Sequence, residues 1–194
     1  LGRLAEESIF HTYFAQQLRA TGFQNQREVP IDVEFETFRK QYFIDFVVGN
    51  CGVYEVKVVN ELTVEHEMQL LNYLVLLDVE RGKLVNFRPQ SVKSRYVNAP
   101  ARRSERQQFQ LIDTGWADQS CVREKTIGML RDWGTGLALP LYTQAATHFL
   151  GGELRVIRNV QMNRDGCTLG TQRFHMTDDY EAFRFTALTK GIEE

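Results

Sequence analysis

A chain of 194 residues, 43% hydrophobic and 25% charged with only four Pro, has the composition of one or two packed units and not of a low-complexity segment. Its longest nearly apolar run, Leu70 to Val79, is broken by Asn72 and Asp78; it falls far short of the roughly 20 residues of a membrane span, so no membrane partner is expected. A net charge of −2 excludes a protein coated in basic residues but leaves room for one positive face beside a group of acids.

The first element in the chain is a helix over residues 4–20, with Leu4, Phe10, Tyr13, Phe14 and Leu18 at three- and four-residue spacing and Gly22 closing the pattern. Glu7 falls on this same stripe, where a carboxylate is costly unless something there wants its charge. Three strands follow. Val29 to Phe35 alternates, with Asp32 and Glu34 opposite the apolar side. Tyr42 to Val48 and Val53 to Val59 are nearly unbroken apolar runs and read as central strands buried on both faces. A helix over residues 64–78 packs through Leu70, Leu71, Leu74 and Leu77, and GKLVNF at 82–87 is a fourth strand. The order is α-β-β-β-α-β, an α/β (α+β) fold with a mixed sheet: antiparallel for the first three strands, parallel where the helix returns the chain.

From Arg88 to Gln110 the chain turns polar and basic, with Arg88, Lys93, Arg95, Arg102, Arg103 and Arg106. It reads as a surface crossing and sets the boundary between a core of residues 1–100 and a C-terminal α+β extension of 101–194. The extension is predicted to hold a short strand at 109–113, helices at 120–133 and 139–150, and a three-stranded meander at 154–162, 168–176 and 182–189. Asp165-Gly166 marks the first hairpin turn of that meander. Cys51, Cys121 and Cys167 are scattered without a CxxC pair, which excludes a zinc ribbon and fits reduced thiols in a cytoplasmic protein.

Chemistry concentrates in the strands. Asp45 interrupts one apolar run, and Glu55 and Lys57 interrupt the next, two apart and therefore on one face with Val56 opposite. Two carboxylates and an ammonium at strand centres are either a buried ion pair or a site. Hard oxygen ligands of this kind suit Mg²⁺ (or Mn²⁺), which keeps waters and takes a substrate phosphate. On the second helix, His66, Gln69 and Tyr73 line up their polar tips beside the core stripe.

This order, with Asp45, Glu55-x-Lys57 and Gln69-x-x-x-Tyr73, resembles the RecB-like branch of the PD-(D/E)XK nucleases. Residues 7–87 are similar to the GxxExxY family through ESIF (7–10), REVPIDVEF (27–35), FID (43–45), YEVKVV (54–59), VEHEMQLLNYL (64–74) and LVNF (84–87). In the name-giving motif Glu7 matches, while Leu4 stands for the Gly and Phe10 for the Tyr.

The resemblance implies a restriction-endonuclease-like core and metal-dependent phosphodiester hydrolysis, with DNA favoured over RNA as the partner. In that reading Asp45, Glu55 and the Val56 carbonyl hold the ion, Glu7 lies near it, Lys57 positions the attacking water, and Gln69 and Tyr73 steady the lysine or the DNA strand. His66, Lys93 and Arg95 are the candidate nucleic-acid contacts, the last two from the basic run. The competing reading is a catalytically silent nucleic-acid- or protein-binding module on the same fold. Residues 110–194 carry no independent chemistry; laid on the core, Met176 falls on Asp45 and Thr186-Ala187-Leu188 on Glu55-Val56-Lys57, as in a degenerate second copy. Its apolar faces call for docking on the core or on a second copy of the chain, a homo-oligomer.

Overall fold

A computed structural model of the chain describes residues 5–49, 52–112, 121–176 and 185. Helix α1 (Glu7–Ala20) opens with Glu7 and closes near Arg19, charges that match the helix dipole at both ends. Strands β1 (Asn25–Phe35), β2 (Phe38–Val48) and β3 (Gly52–Lys57) follow, then α2 (Val64–Leu77), β4 (Arg81–Asn86) and β5 (Lys93–Asn98). They form one five-stranded sheet in the order β1-β2-β3-β4-β5. The β3–β4 pair is parallel and the other three are antiparallel, which is the mixed sheet of a restriction-endonuclease-like fold.

Two clusters build the core. Leu70, Tyr73 and Leu74 of α2 pack on Ile31, Ile44, Val53 and Leu84. Ala15 of α1, with Phe14 and Leu18 beside it, packs on Phe46, Val48 and Val56. Ile44 and Phe46 share a face in a regular strand, yet they enter different clusters. The β1–β2 ladder pairs Arg27 with Phe46 and Val29 with Ile44 but skips Glu28 and Asp45, and Glu28 sits at φ +50°. The alternation of β2 therefore changes face at Asp45.

The structure corrects several sequence expectations for the first unit. In the run 42–48 expected to be buried on both faces Phe43 is exposed, and β2 starts earlier, at Phe38, with Arg39 and Gln41 exposed. On α2 the packed side is Leu70, Tyr73 and Leu74; Leu77 is exposed because the helix ends at Asp78, which takes the left-handed region. The connector after Arg88 contains β5, an edge strand with only Val97 partly covered. The basic run is not one surface either. Arg106, in the short α3 (Arg103–Arg106), is buried and donates to the carbonyls of Trp133 (3.2 Å), Thr135 (2.9 Å) and Val75 (2.9 Å).

The chain divides into two compact units, one of Leu1–Phe109 with Trp133–Gly136 and one of Gln110–Asp132 with Leu137–Glu194. Trp133 belongs to the first, donating from its indole to the Glu34 carbonyl at 3.0 Å and packing on Phe35 and Phe38. The second contains α4 (Cys121–Trp133) apart from its last residue, α5 (Leu139–Phe149), the single turn α6 (Glu153–Val156), β6 (Ile157–Arg164) and β7 (Cys167–His175). Its first expected strand thus opens as a helical turn, and residues 109–112 form no strand. Asp165 (φ +51°) and Gly166 (φ +78°) make the turn between β6 and β7. Asp113, Thr186-Ala187-Leu188 and the expected strand at 182–189, apart from Phe185, lie outside the described residues.

Gly82 shows how tightly α2 sits on the sheet. A Cβ there would lie 2.9 Å from Leu74 Cδ2, 3.0 Å from Leu70 Cδ1 and 3.1 Å from the Val53 carbonyl oxygen. Both leucine side chains are fully buried and cannot swing into solvent. Gly82→Ala is therefore expected to lower stability by about 1–3 kcal/mol in urea unfolding, the usual cost of overpacking; an unchanged midpoint would contradict this packing.

Candidate active site

Asp45 stands where the sheet opens. The β2–β3 ladder runs Val48–Gly52, Val47–Val53 and Phe46–Tyr54 and then stops. In place of the next backbone bond, the Val56 N–H donates to Asp45 Oδ2 at 2.8 Å. On the face opposite Val56, Lys57 Nζ donates to Glu55 Oε1 at 2.5 Å. Glu55 is completely buried, and its second oxygen, Oε2, has no hydrogen-bond partner.

Helix α1 delivers more polar groups from the other side. Glu7 Oε2 accepts the Val58 N–H at 3.3 Å. His11, one turn on, holds Nε2 at 3.8 Å from Asp45 Oδ2 and 4.0 Å from Glu7 Oε1. That nitrogen is buried without a hydrogen-bond partner, and the ring meets Phe46 edge-on at 5.4 Å. On the α2 side Gln69 Nε2 donates to Tyr73 Oη at 3.0 Å. Tyr73 feels the Glu55, Asp45 and Lys57 charges after burial and the Gln69 hydrogen bond.

The strand end that carries these groups is fixed by further bonds. Asn86 Oδ1 accepts the Val59 N–H (3.1 Å) and the Arg88 N–H (3.2 Å), while its Nδ2 donates to the Val59 carbonyl (2.7 Å). The Phe87 N–H donates to the Lys57 carbonyl at 2.9 Å, and Arg88 Nε donates to the Val58 carbonyl at 2.9 Å. Lys57, Val58 and Val59 are thus held by Glu7 of α1 and by the segment 86–88 that ends β4.

The expected residues Asp45, Glu55, Lys57, Glu7 and Tyr73 come together, with Val56 at the crossing and Gln69 attached through Tyr73. His66 does not join them: its Nδ1 accepts the Thr63 N–H at 3.0 Å and so caps α2. Lys93 and Arg95 lie on β5. The register runs Lys57–Asn86–Lys93 in one row and Glu55–Leu84–Arg95 in another, about two strand spacings, or roughly 10 Å, across the sheet from the acids. Arg95 also pairs with Glu67 of α2. Sequence reasoning passed over His11 and Asn86. His11 was signalled by its i,i+4 spacing from Glu7 beside the Phe10 and Phe14 stripe; nothing local marks Asn86.

The electrostatics follow from crowding. Burial, then the Asp45 charge, pushes Glu55 up to about 7, with the Lys57 ammonium opposing the rise. Burial also raises Asp45, against the Val56 N–H and the nearby His11 and Lys57. For Lys57 burial alone would lower the ammonium, but Glu55, Asp45 and Glu7 together outweigh it and raise it. The site therefore holds more carboxylate than its one ammonium can neutralise. Among the described residues no group of three His, Cys, Asp or Glu side chains is spaced to hold a metal alone. A Mg²⁺-type ion needs only one or two carboxylates beside its waters and substrate oxygens. The unpartnered Glu55 Oε2 and the excess negative charge fit such an ion.

A family model described as the PD-(D/E)XK nuclease superfamily matches residues 1–98. A solved structure described as "Crystal structure of SSO0001" is 24% identical with a TM-score of 0.43, over 51% of this chain and 53% of that one. The chain thus spans about half the length of that neighbour. No curated protein matches it. Among the described residues no helix is long and apolar enough to cross a membrane.

The raised Glu55 gives a stability signature in chelator. The folded state keeps a proton that the unfolded chain releases near 4.5, so this contribution is fully present below that pH and is lost as pH rises through about 7. The melting temperature should fall across this window, and Glu55→Gln should flatten the fall. A wild type and Glu55→Gln with parallel profiles would contradict the raised carboxyl.

Proposed function

The chain belongs to the PD-(D/E)XK nuclease superfamily, and from that premise we propose that it hydrolyses phosphodiester bonds in nucleic acid, DNA before RNA, with Mg²⁺ or Mn²⁺. One observation carries this reading: Asp45 takes a main-chain N–H at the point where the ladder opens, beside a buried Glu55–Lys57 pair. Asp45, Glu55 and the Val56 carbonyl are the proposed ligands, with Glu7 close by. The ion, when bound, polarises the phosphate and acidifies the water that attacks it. Within the superfamily, Glu7, Glu55-x-Lys57 and Gln69-x-x-x-Tyr73 support a RecB-like, GxxExxY-type member.

The residues then divide the work. Lys57, whose ammonium donates to Glu55 Oε1 in the free protein, would orient the attacking water toward the phosphorus. Tyr73, steadied by Gln69, borders the acids from the α2 side. Lys93 and Arg95, in register with Lys57 and Glu55 across β4, reach phosphates of the same strand. A silent binding module is the weaker reading, because a buried carboxylate with an unpartnered oxygen costs stability that a binding fold has no reason to bear.

Incubation of the pure protein with single- and double-stranded DNA and RNA tests this. Cleavage is expected with Mg²⁺ or Mn²⁺ and none with chelator. Lys57→Ala should bind the ion nearly as the wild type does in calorimetry while cutting falls about 100-fold or more, the scale of a lost water-positioning group. Full cleavage by Lys57→Ala, or cleavage in chelator, would overturn the assignment.

A further inference from the structure

Beside the acids, on the flank of α1 turned away from the core, runs a groove of about 400 Å³ lined by Ser8, Ile9, Thr12, Tyr13, Gln16 and Arg27. None of the six is acidic. Arg27 is the strand partner of Phe46, one residue past Asp45, so the groove adjoins the site on its β1 side. Its guanidinium lies over the Phe46 ring at 5.9 Å. Nη1 donates to Thr12 Oγ1 at 3.1 Å, and Thr12 Oγ1 donates in turn to the Ser8 carbonyl at 3.0 Å. Nε is enclosed with no acceptor, and among the described residues no carboxylate pairs with Arg27. A positive charge is thus built into the groove, oriented by a hydroxyl and a ring, and left without a counter-charge. Beside it Tyr13 and Ile9 remain 44% and 46% exposed.

A fixed guanidinium lacking an anion next to an exposed aromatic ring is the pairing that holds a phosphate and stacks a base. Inside a duplex each base is covered on both faces by its neighbours, so the base that stacks on Tyr13 is an unpaired one. We propose that this groove cradles an unpaired stretch of the substrate strand next to the scissile bond, Arg27 holding a phosphate and Tyr13 a base. The proposal rests on the nuclease reading and narrows its substrate to nucleic acid with a single-stranded segment. With Lys93 and Arg95 on the far side of the acids, the strand has a cationic anchor on each side of the cut.

The test measures anisotropy of an end-labelled single strand and of the same sequence as a blunt duplex. The protein carries Asp45→Asn so that the strand survives. Adding Tyr13→Ala or Arg27→Gln should each weaken single-strand binding about fivefold or more, with the duplex changed within about twofold. Arg27→Gln should also lower the salt slope by about one phosphate contact. In the cleaving protein the same changes should raise KM for single strands and spare kcat. Tyr13 is exposed, so Tyr13→Ala decides the matter if Arg27→Gln lowers the melting temperature. Single-strand binding unchanged by Tyr13→Ala, or equal loss for strand and duplex, overturns the groove even where cutting is intact. A parent protein that binds and cuts no nucleic acid overturns the nuclease reading and the groove with it.

Discussion

The Val56 N–H gives its hydrogen bond to the Asp45 carboxylate where the ladder would have supplied a backbone carbonyl. That substitution opens β2 from β3, because one carboxylate now stands between strands that would otherwise close. It also fixes Asp45 Oδ2 next to the main chain of the residue between Glu55 and Lys57. The skipped Glu28–Asp45 pair on the other edge of β2 belongs to the same distortion: the strand changes face there, so Ile44 serves the α2 cluster and Phe46 the α1 cluster. Both helices are thereby anchored to one strand on either side of the acid. Glu7 and His11 reach the site because Phe46 and Val48 hold α1 down; Tyr73 reaches it because Ile44 and Val53 hold α2.

The arrangement stores unfavourable electrostatics. A carboxylate removed from water costs several kcal/mol unless paired, and here one ammonium faces the buried Glu55 and the largely buried Asp45, with the more exposed Glu7 beside them. Lys57 satisfies one oxygen of Glu55 and leaves the other bare. The rest of the unit supplies the rigidity that keeps the charges together: Asn86, Arg88 and the Phe87 N–H clamp the chain after Lys57, and Arg106 ties α2 to residues 133 and 135. A cation would relieve the crowding, and a substrate phosphate would complete its ligands. In this account the stability forgone in the free protein becomes differential affinity for the ion-bound, substrate-bound state.

How legible this was depended on whether a residue's partners are encoded nearby. Asp45 and Glu55-x-Lys57 stood out because charges interrupt apolar strands, and Asp165-Gly166 because a two-residue turn demands left-handed backbone. The strand KSRYVN was invisible: an edge strand whose one partly covered apolar residue is Val97 has no apolar period to betray it. Arg106 looked like surface charge because its acceptors are main-chain carbonyls of Val75, Trp133 and Thr135, which no side chain announces. Leu77 looked like core because the leucine stripe continues, whereas the helix stops at Asp78. His11 could have been read from its spacing to Glu7. Asn86 could not, since its work is to bond the backbone of Val59 and Arg88 once β3 and β4 are already side by side.

The central claim is that Asp45 and Glu55 together hold a divalent ion. Crystals of the protein grown with Mn²⁺ and measured at the manganese absorption edge would locate it directly. The account predicts an anomalous peak with Asp45, Glu55 and the Val56 carbonyl at about 2.0–2.2 Å, the range for hard oxygen ligands. No peak there under saturating Mn²⁺, or one elsewhere with Glu55 still closed on Lys57, would contradict it.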